Sequence, residues 1–177
     1  MSNLPKKYQY LLNEPSPKLL VEAVKLHGVY EFPGTADNPI IEGWGKELNL
    51  ERVYTNDAIP WCGLFVGVCV RRAEQPLPVN PLWALNWTKY GDEVKEPMLG
   101  DILTFKRNGG GHVAIYVGED ATHYHILGGN QSDKVCIVRK SKKDLFAARR
   151  TKWKVSQPTN VRKIFLDADG PVSSKED

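Results

Sequence analysis

The sequence predicts an α+β domain, with helices in its first half and an antiparallel sheet in its second half. Before Pro97, apolar residues recur at helical spacing behind Ser-Pro and Asn-Pro pairs, which are typical of helix starts. After Pro97, runs of apolar and β-branched residues alternate with turns rich in Gly, Asp and Asn, which favour antiparallel neighbours. Helices followed by strands indicate the α+β class.

Length and composition predict one globular domain. The chain has 177 residues, of which 41% are hydrophobic and 25% charged. We expect the domain to span residues 1–166, with a loosely ordered arm over 1–14, and a disordered polar tail over 167–177. No run of residues is apolar enough to cross a bilayer, and no signal peptide follows Met1, so we expect synthesis in a cytoplasm.

Four helices are predicted in the first half. The first begins at Ser16-Pro17, with Ser16 as N-cap, and ends at Gly28. A short helix follows over 39–48. The third, over 60–73, is apolar on nearly every face and is therefore predicted to be central. The fourth covers 82–90.

In the second half of the chain, the sequence predicts four strands and one further edge strand. Their sequences are "GDILTFKR", "HVAIYVGE", "THYHILGG" and "KVCIVRK", and residues 161–166 supply the candidate edge strand. The second run is nearly continuously apolar, so we expect it to be buried on both faces.

Cys62 is the candidate nucleophile. It stands in "IPWCGLFVGVCV", two residues after Pro60, so its sulfur would feel the positive end of the helix dipole. Cys69 is predicted to be a buried, inert thiol, and Cys136 a packed residue of a strand. Three cysteines without a C-x-x-C pair argue against both a disulfide framework and a structural zinc site.

His112 is the candidate base, because it follows "NGGG" and opens an apolar strand. If that strand and the next pair around a turn near position 121, Asn130 lies opposite His112 and can orient the imidazole. Asn130 in its Gly-Gly-Asn context is also a plain turn residue. His125, on the same strand, is a rival orienting residue.

These motifs together resemble the NlpC/P60 and CHAP superfamily of papain-like cysteine peptidases and amidases, in particular its phage-type peptidoglycan hydrolases. The matching stretches are "PWCGLFVGVCV", "GDILTF", "GGGHVAIYVGE", "LGGNQSDKV" and, upstream, "GVYEFPGTADNPIIEGW". They lie between Gly28 and Arg150. The resemblance implies a papain-like fold with the nucleophile at the start of the central helix.

The resemblance also implies the site residues: Cys62 as nucleophile, His112 as base and a polar third residue, which Asn130 matches. Many CHAP members carry an acidic residue near that place, but Leu127-Gly128-Gly129 has none. Gln131 and His125 therefore remain open as substitutes. No metal or other cofactor is implied.

The implied reaction is hydrolysis of an amide in the peptide part of peptidoglycan, by amidase or endopeptidase cleavage. The backbone N–H of Cys62 is the expected oxyanion donor. Trp61 and Gln131 are expected to bind substrate. Core packing is the alternative for Trp61 and for three further aromatic residues that could wall a groove: Trp83, Trp87 and Tyr90.

The expected partner is bacterial peptidoglycan, with no nucleic-acid partner, no membrane insertion and a monomeric state. A phage endolysin, released through a holin-type pore, fits these expectations best. The basic segment Arg139–Lys154 is either a solvated face or an aid to binding an anionic target. A secreted antibacterial toxin, a cysteine protease or acyltransferase with another substrate, and a binding module without activity remain alternatives.

Overall fold

A computed structural model describes residues 4–34 and 36–173 of the chain. Its α-helices are α1 (Lys18–Lys25), α2 (Pro39–Glu47) and α3 (Cys62–Arg72). Its strands are β1 (Asp92–Glu93), β2 (Ile102–Arg107), β3 (Gly110–Glu119), β4 (His123–Gly128), β5 (Cys136–Ser141) and β6 (Leu145–Arg150). Short 3-10 helices cover Lys6–Asn13, Ala84–Lys89 and Lys142–Asp144. Nowhere in the described ranges does a helix have the length and apolarity needed to cross a membrane.

The six strands form one antiparallel sheet in the order β1-β6-β2-β3-β4-β5, which confirms the α+β prediction. The long strand β3 lies between β2 and β4. Its residues alternate between two apolar clusters: Val113, Ile115 and Val117 pack with the helices, whereas Ala114 and Tyr116 belong to a separate cluster. This alternation explains why β3 has an almost continuous apolar sequence.

Helix α3 is the central helix of the domain, as predicted. Every residue from Cys62 to Val70 is buried, and the helix packs on α1, α2 and β3. A helix that is apolar all round needs such neighbours on every side. It begins at Cys62 itself, two residues later than predicted, so the candidate nucleophile occupies the first helical position.

Three other element predictions differ from the structure, and one of them is the helix over 82–90, where only the 3-10 helix Ala84–Lys89 forms. Ser16 does not cap α1, because Pro17 takes the N-cap position after a cis peptide bond, and the Ser16 hydroxyl donates to Asn160 instead. Residues 161–166 do not form the edge strand. The further strand is β6, which pairs with both β1 and β2.

The described residues near both ends of the chain pack on the domain more than the sequence predicted. The arm contains the 3-10 helix Lys6–Asn13, with Tyr8 and Leu11 buried. Near the other end, Arg139 of β5 donates its N–H to the carbonyl of Pro171 at 2.9 Å, and its own carbonyl accepts from Ser173 at 2.9 Å. The predicted disordered tail therefore does not begin at 167. Its last part, 174–177, lies outside the described residues.

Candidate functional site

Cys62 and His112 meet where the start of α3 reaches β3. The Cys62 thiol hydrogen-bonds to the His112 side chain, and the backbone N–H groups of Val113 and Gly63 also donate to the sulfur. His112 is held by pairing of β3 with Phe105 of β2. The sequence signals for the two residues, a helix start and a strand opening after glycines, therefore converge on one place.

The surroundings of Cys62 favour its thiolate. Burial opposes ionisation, but the hydrogen bond and charge of His112, with the two backbone N–H groups, outweigh it and hold the pKa of Cys62 below its usual range. The pKa of Cys69, deep in the same helix, is raised by burial. Burial likewise raises the pKa of Cys136. All three are free thiols, and only Cys62 has the properties of a nucleophile.

Gln131 orients His112. Its Oε1 lies 3.0 Å from His112 Nε2, while its Nε2 donates to the carbonyl of Cys136 at 2.6 Å. The second contact sets the direction of the amide, so Oε1 faces the imidazole and can only accept. His112 therefore donates through Nε2, which leaves Nδ1 as the atom that can exchange a proton with Cys62.

Asn130, the predicted orienting residue, does not make this contact. The predicted register is correct, because the pair Ile115↔Leu127 continued along the strands brings 112 opposite 130. However, the ladder ends at Gly128, and Asn130 adopts a left-handed backbone with φ 55°. The chain turns there, and the next residue supplies the amide. Of the open candidates, Gln131 contacts the base.

His125 lies in a different polar cluster. Its Nδ1 accepts from the Tyr8 hydroxyl at 2.7 Å, and its Nε2 lies 3.0 Å from Asp120 Oδ2. Asp120 also binds Arg139 at 2.8 Å. His125 is thus a buried structural residue of β4, and its ring nitrogens are used by Tyr8 and Asp120 instead of orienting His112.

Trp61 and Gln131, which were predicted to bind substrate, are both buried and have contacts within the fold. Trp61 is 0% exposed and packs on Trp44, with ring centroids 5.9 Å apart. Gln131 is 2% exposed and its amide is used within the site. Trp87 and Tyr90 are also buried, as their core alternative required.

Trp83 is the predicted groove residue that remains accessible, with 51% of its surface exposed. It follows a segment that packs directly on the residue after the nucleophile. A Cβ at Gly63 would lie 2.3 Å from the carbonyl oxygen of Pro81, so only glycine permits this approach. Trp83 therefore follows, two residues after Pro81, a segment that contacts the start of α3.

The basic segment Arg139–Lys154 is largely neutralised within the fold. Its ion pairs join Arg139 to Asp120, Lys142 to Glu119, Arg149 to Glu93, Arg150 to Asp101 and Lys152 to Asp92. These ion pairs reduce the positive charge of the segment that an anionic target could bind.

Glu31 is the partner of the Trp61 indole, whose N–H donates to the Glu31 carboxylate. The sequence did not predict this contact. Among residues 4–34 and 36–173, no group of three His, Cys, Asp or Glu side chains is arranged to hold a metal ion. No protein-family model and no curated protein matches this chain.

Proposed function

We propose that this protein is a papain-like cysteine hydrolase that cleaves an amide bond in the peptide part of bacterial peptidoglycan. The observation that carries the proposal is the chain of contacts from Cys62 through His112 to Gln131 at the start of the central helix. Acyl transfer by cysteine needs these three parts: an activated nucleophile, a base in contact with it, and a group that orients the base.

The reaction follows from these contacts. The Cys62 thiolate attacks the amide carbon, and the carbonyl oxygen becomes an oxyanion that the N–H of Cys62 can stabilise, since N–H groups in the first helical turn lack intrahelical partners. His112 then gives its Nδ1 proton to the leaving amine, and a thioester remains on Cys62. In the second half, His112 takes a proton from water, and the resulting hydroxide attacks the thioester carbon. The C–S bond breaks, the acid product leaves, and the Cys62 thiolate and protonated His112 are restored.

The substrate class is supported by the four motifs around Cys62, His112 and Gln131 that resemble phage-type peptidoglycan hydrolases. The exposed indole of Trp83 is available to sugar or peptide groups, which aromatic faces can bind. The paired charges of Arg139–Lys154 contribute little support. The setting we propose is that of a phage endolysin.

Digestion of isolated peptidoglycan tests the proposal. Wild-type protein, Cys62→Ala and the matched control Cys69→Ala should each be incubated with it, and the products analysed by mass spectrometry. We expect new muropeptides from the wild type and the control but none from Cys62→Ala. Fragment masses then separate amidase from endopeptidase cleavage. Unchanged peptidoglycan after wild-type treatment would contradict the substrate, and activity of Cys62→Ala would contradict the mechanism.

A further inference from the structure

We propose that Glu31 is a positioning residue that holds Cys62 in line with His112 by binding Trp61. This inference rests on the proposed role of Cys62 as nucleophile and goes beyond it. Glu31 is not one of the three residues Cys62, His112 and Gln131. It does contact both the loop that ends at Trp61 and the loop around Gln131.

The side chain of Glu31 acts on the nucleophile loop. Trp61 is the N-cap residue of α3 and directly precedes Cys62, so any shift of its indole moves the backbone that carries the sulfur. Its N–H donates to a carboxylate oxygen of Glu31. This hydrogen bond holds the polar edge of the indole in one orientation.

The indole is also fixed on its other side by the loop that carries Gln131. A Cβ placed at Gly129 would lie 2.7 Å from a ring carbon of Trp61 and 2.6 Å from Phe65. The loop before Gln131 therefore packs directly on the residue before Cys62. A rotation of Trp61 would disturb both loops together.

The backbone of Glu31 acts on the same Gln131 loop. Its N–H donates to the carbonyl of Asp133 at 2.8 Å, and the adjacent pairing continues where Val135 donates to Val29 at 2.7 Å. One residue thus contacts the neighbour of the nucleophile through its side chain and the loop of the orienting residue through its backbone. This double attachment is the reason we assign positioning to Glu31.

The matched pair Glu31→Gln and Glu31→Met separates the hydrogen bond from the charge. Both variants have side chains of similar length without charge, but only Gln can accept from the indole. Because a misplacement of about 1 Å costs up to 100-fold in rate, we expect Glu31→Met to lower kcat about 10- to 100-fold with KM unchanged. We expect Glu31→Gln to stay within about threefold of wild type, since its acceptor remains. Glu42→Met, which removes a half-buried carboxylate from α2, is the control.

Alkylation of Cys62 by iodoacetamide across pH, read by peptide mass spectrometry, gives a readout that needs no substrate. In Glu31→Met the sulfur loses its alignment with His112 and Val113, so the pKa of Cys62 should rise by about one unit. In Glu31→Gln it should stay at or below the wild-type value. If Glu31 acted only through its charge, both variants would lower this pKa, because a nearby negative charge would be gone. That result, or equal kcat in the two variants, overturns the proposal.

Should Glu31→Met fail to fold, Trp61→Phe removes the same hydrogen bond from its donor side. It should raise the alkylation pKa of Cys62 as well, and an unchanged pKa there overturns the proposal. When all variants fold, the double variant Trp61→Phe/Glu31→Met should lose no more kcat than the more affected single variant. The reason is that both substitutions remove the same hydrogen bond. Inactivity of the wild type on peptidoglycan would contradict the proposed substrate. The alkylation results would still test the role of Glu31, because they need no substrate.

Discussion

The amide of Gln131 selects the tautomer of His112, and a substitution there should affect the rate more than substrate binding. We expect Gln131→Ala to lower kcat/KM about 10- to 100-fold, because the imidazole loses its fixed orientation. Gln131→Glu keeps an acceptor for His112 Nε2 and should recover part of the rate. Steady-state kinetics on the released muropeptides measure both variants.

The matched control for Gln131 is Asn130→Gly. Glycine suits the left-handed backbone at Asn130, so this change removes the neighbouring amide without straining the turn. We expect Asn130→Gly to have the kcat/KM of the wild type. Equal losses of kcat/KM in the variants at 130 and 131 would show that the loop as a whole, and not the Gln131 amide, supports activity.

The sequence could predict Cys62 and His112 because each has a local signal. A proline and an apolar helix mark the first, and a glycine turn before a strand marks the second. The choice between Asn130 and Gln131 has no such signal, because it depends on a single left-handed residue at the end of a strand. Core packing was one of the two interpretations of Trp61, but local pattern does not show what covers it, because its cover comes from Trp44 of α2 and from the loop at Gly129.

At the scale of elements, the 3-10 helix Lys6–Asn13 is anchored to the sheet through Tyr8. The Tyr8 hydroxyl donates to His125, whose pKa is lowered by burial, so the neutral imidazole can accept. We expect Tyr8→Phe to lower the free energy of unfolding by about 1–3 kcal/mol, because a buried ring nitrogen loses its partner. Urea unfolding with Tyr30→Phe, a change on an exposed ring, as control measures this difference. A loss shared by both variants would contradict the anchor.

Apolar runs predicted the strands better than proline pairs predicted the helices. Strands β2 to β5 follow their apolar runs and α2 lies where it was predicted, but Asn80-Pro81 is followed only by the 3-10 helix Ala84–Lys89. Strand β6 was missed because "LFAARR" shows no alternation and ends in two arginines. Its position depends on pairing with β2, about forty residues earlier, which local pattern does not reveal.

At the scale of the whole molecule, the buried carboxylate of Asp120 links separate elements through ion pairs and hydrogen bonds. Asp120, in the turn between β3 and β4, receives hydrogen bonds from Arg139 of β5 and contacts His125, which in turn holds the arm. One carboxylate thus connects the outer strands and the N-terminal helix. The sequence suggested a solvated basic face here, because the acidic partners are scattered along the chain.

This arrangement predicts that stability falls on acidification. Burial alone would raise the pKa of Asp120, but hydrogen bonds from Arg139, the backbone of Thr122 and His125 hold it far below its usual range. Its contribution is therefore present above the unfolded pKa, near ~4, and is lost as pH falls toward the folded pKa. The pKa of His125 is lowered by burial, so protonating it below the unfolded pKa of ~6.5 acts in the same direction.

Asp120→Asn tests this account, because it removes the charge and keeps the shape of the side chain. We expect the free energy of unfolding at pH 7 to fall by about 3 kcal/mol, since Arg139 is left buried without its counter-charge. The gap to wild type should narrow below about pH 4, where Asp120 of the unfolded wild-type chain takes up a proton that the folded protein does not bind. Urea unfolding at pH 7, 5 and 3.5 measures it, with Asp92→Asn, which breaks only an exposed pair with Lys152, as control. A gap that stays constant with pH would show that Asp120 stabilises the fold through its shape and hydrogen bonds, without a contribution from its charge.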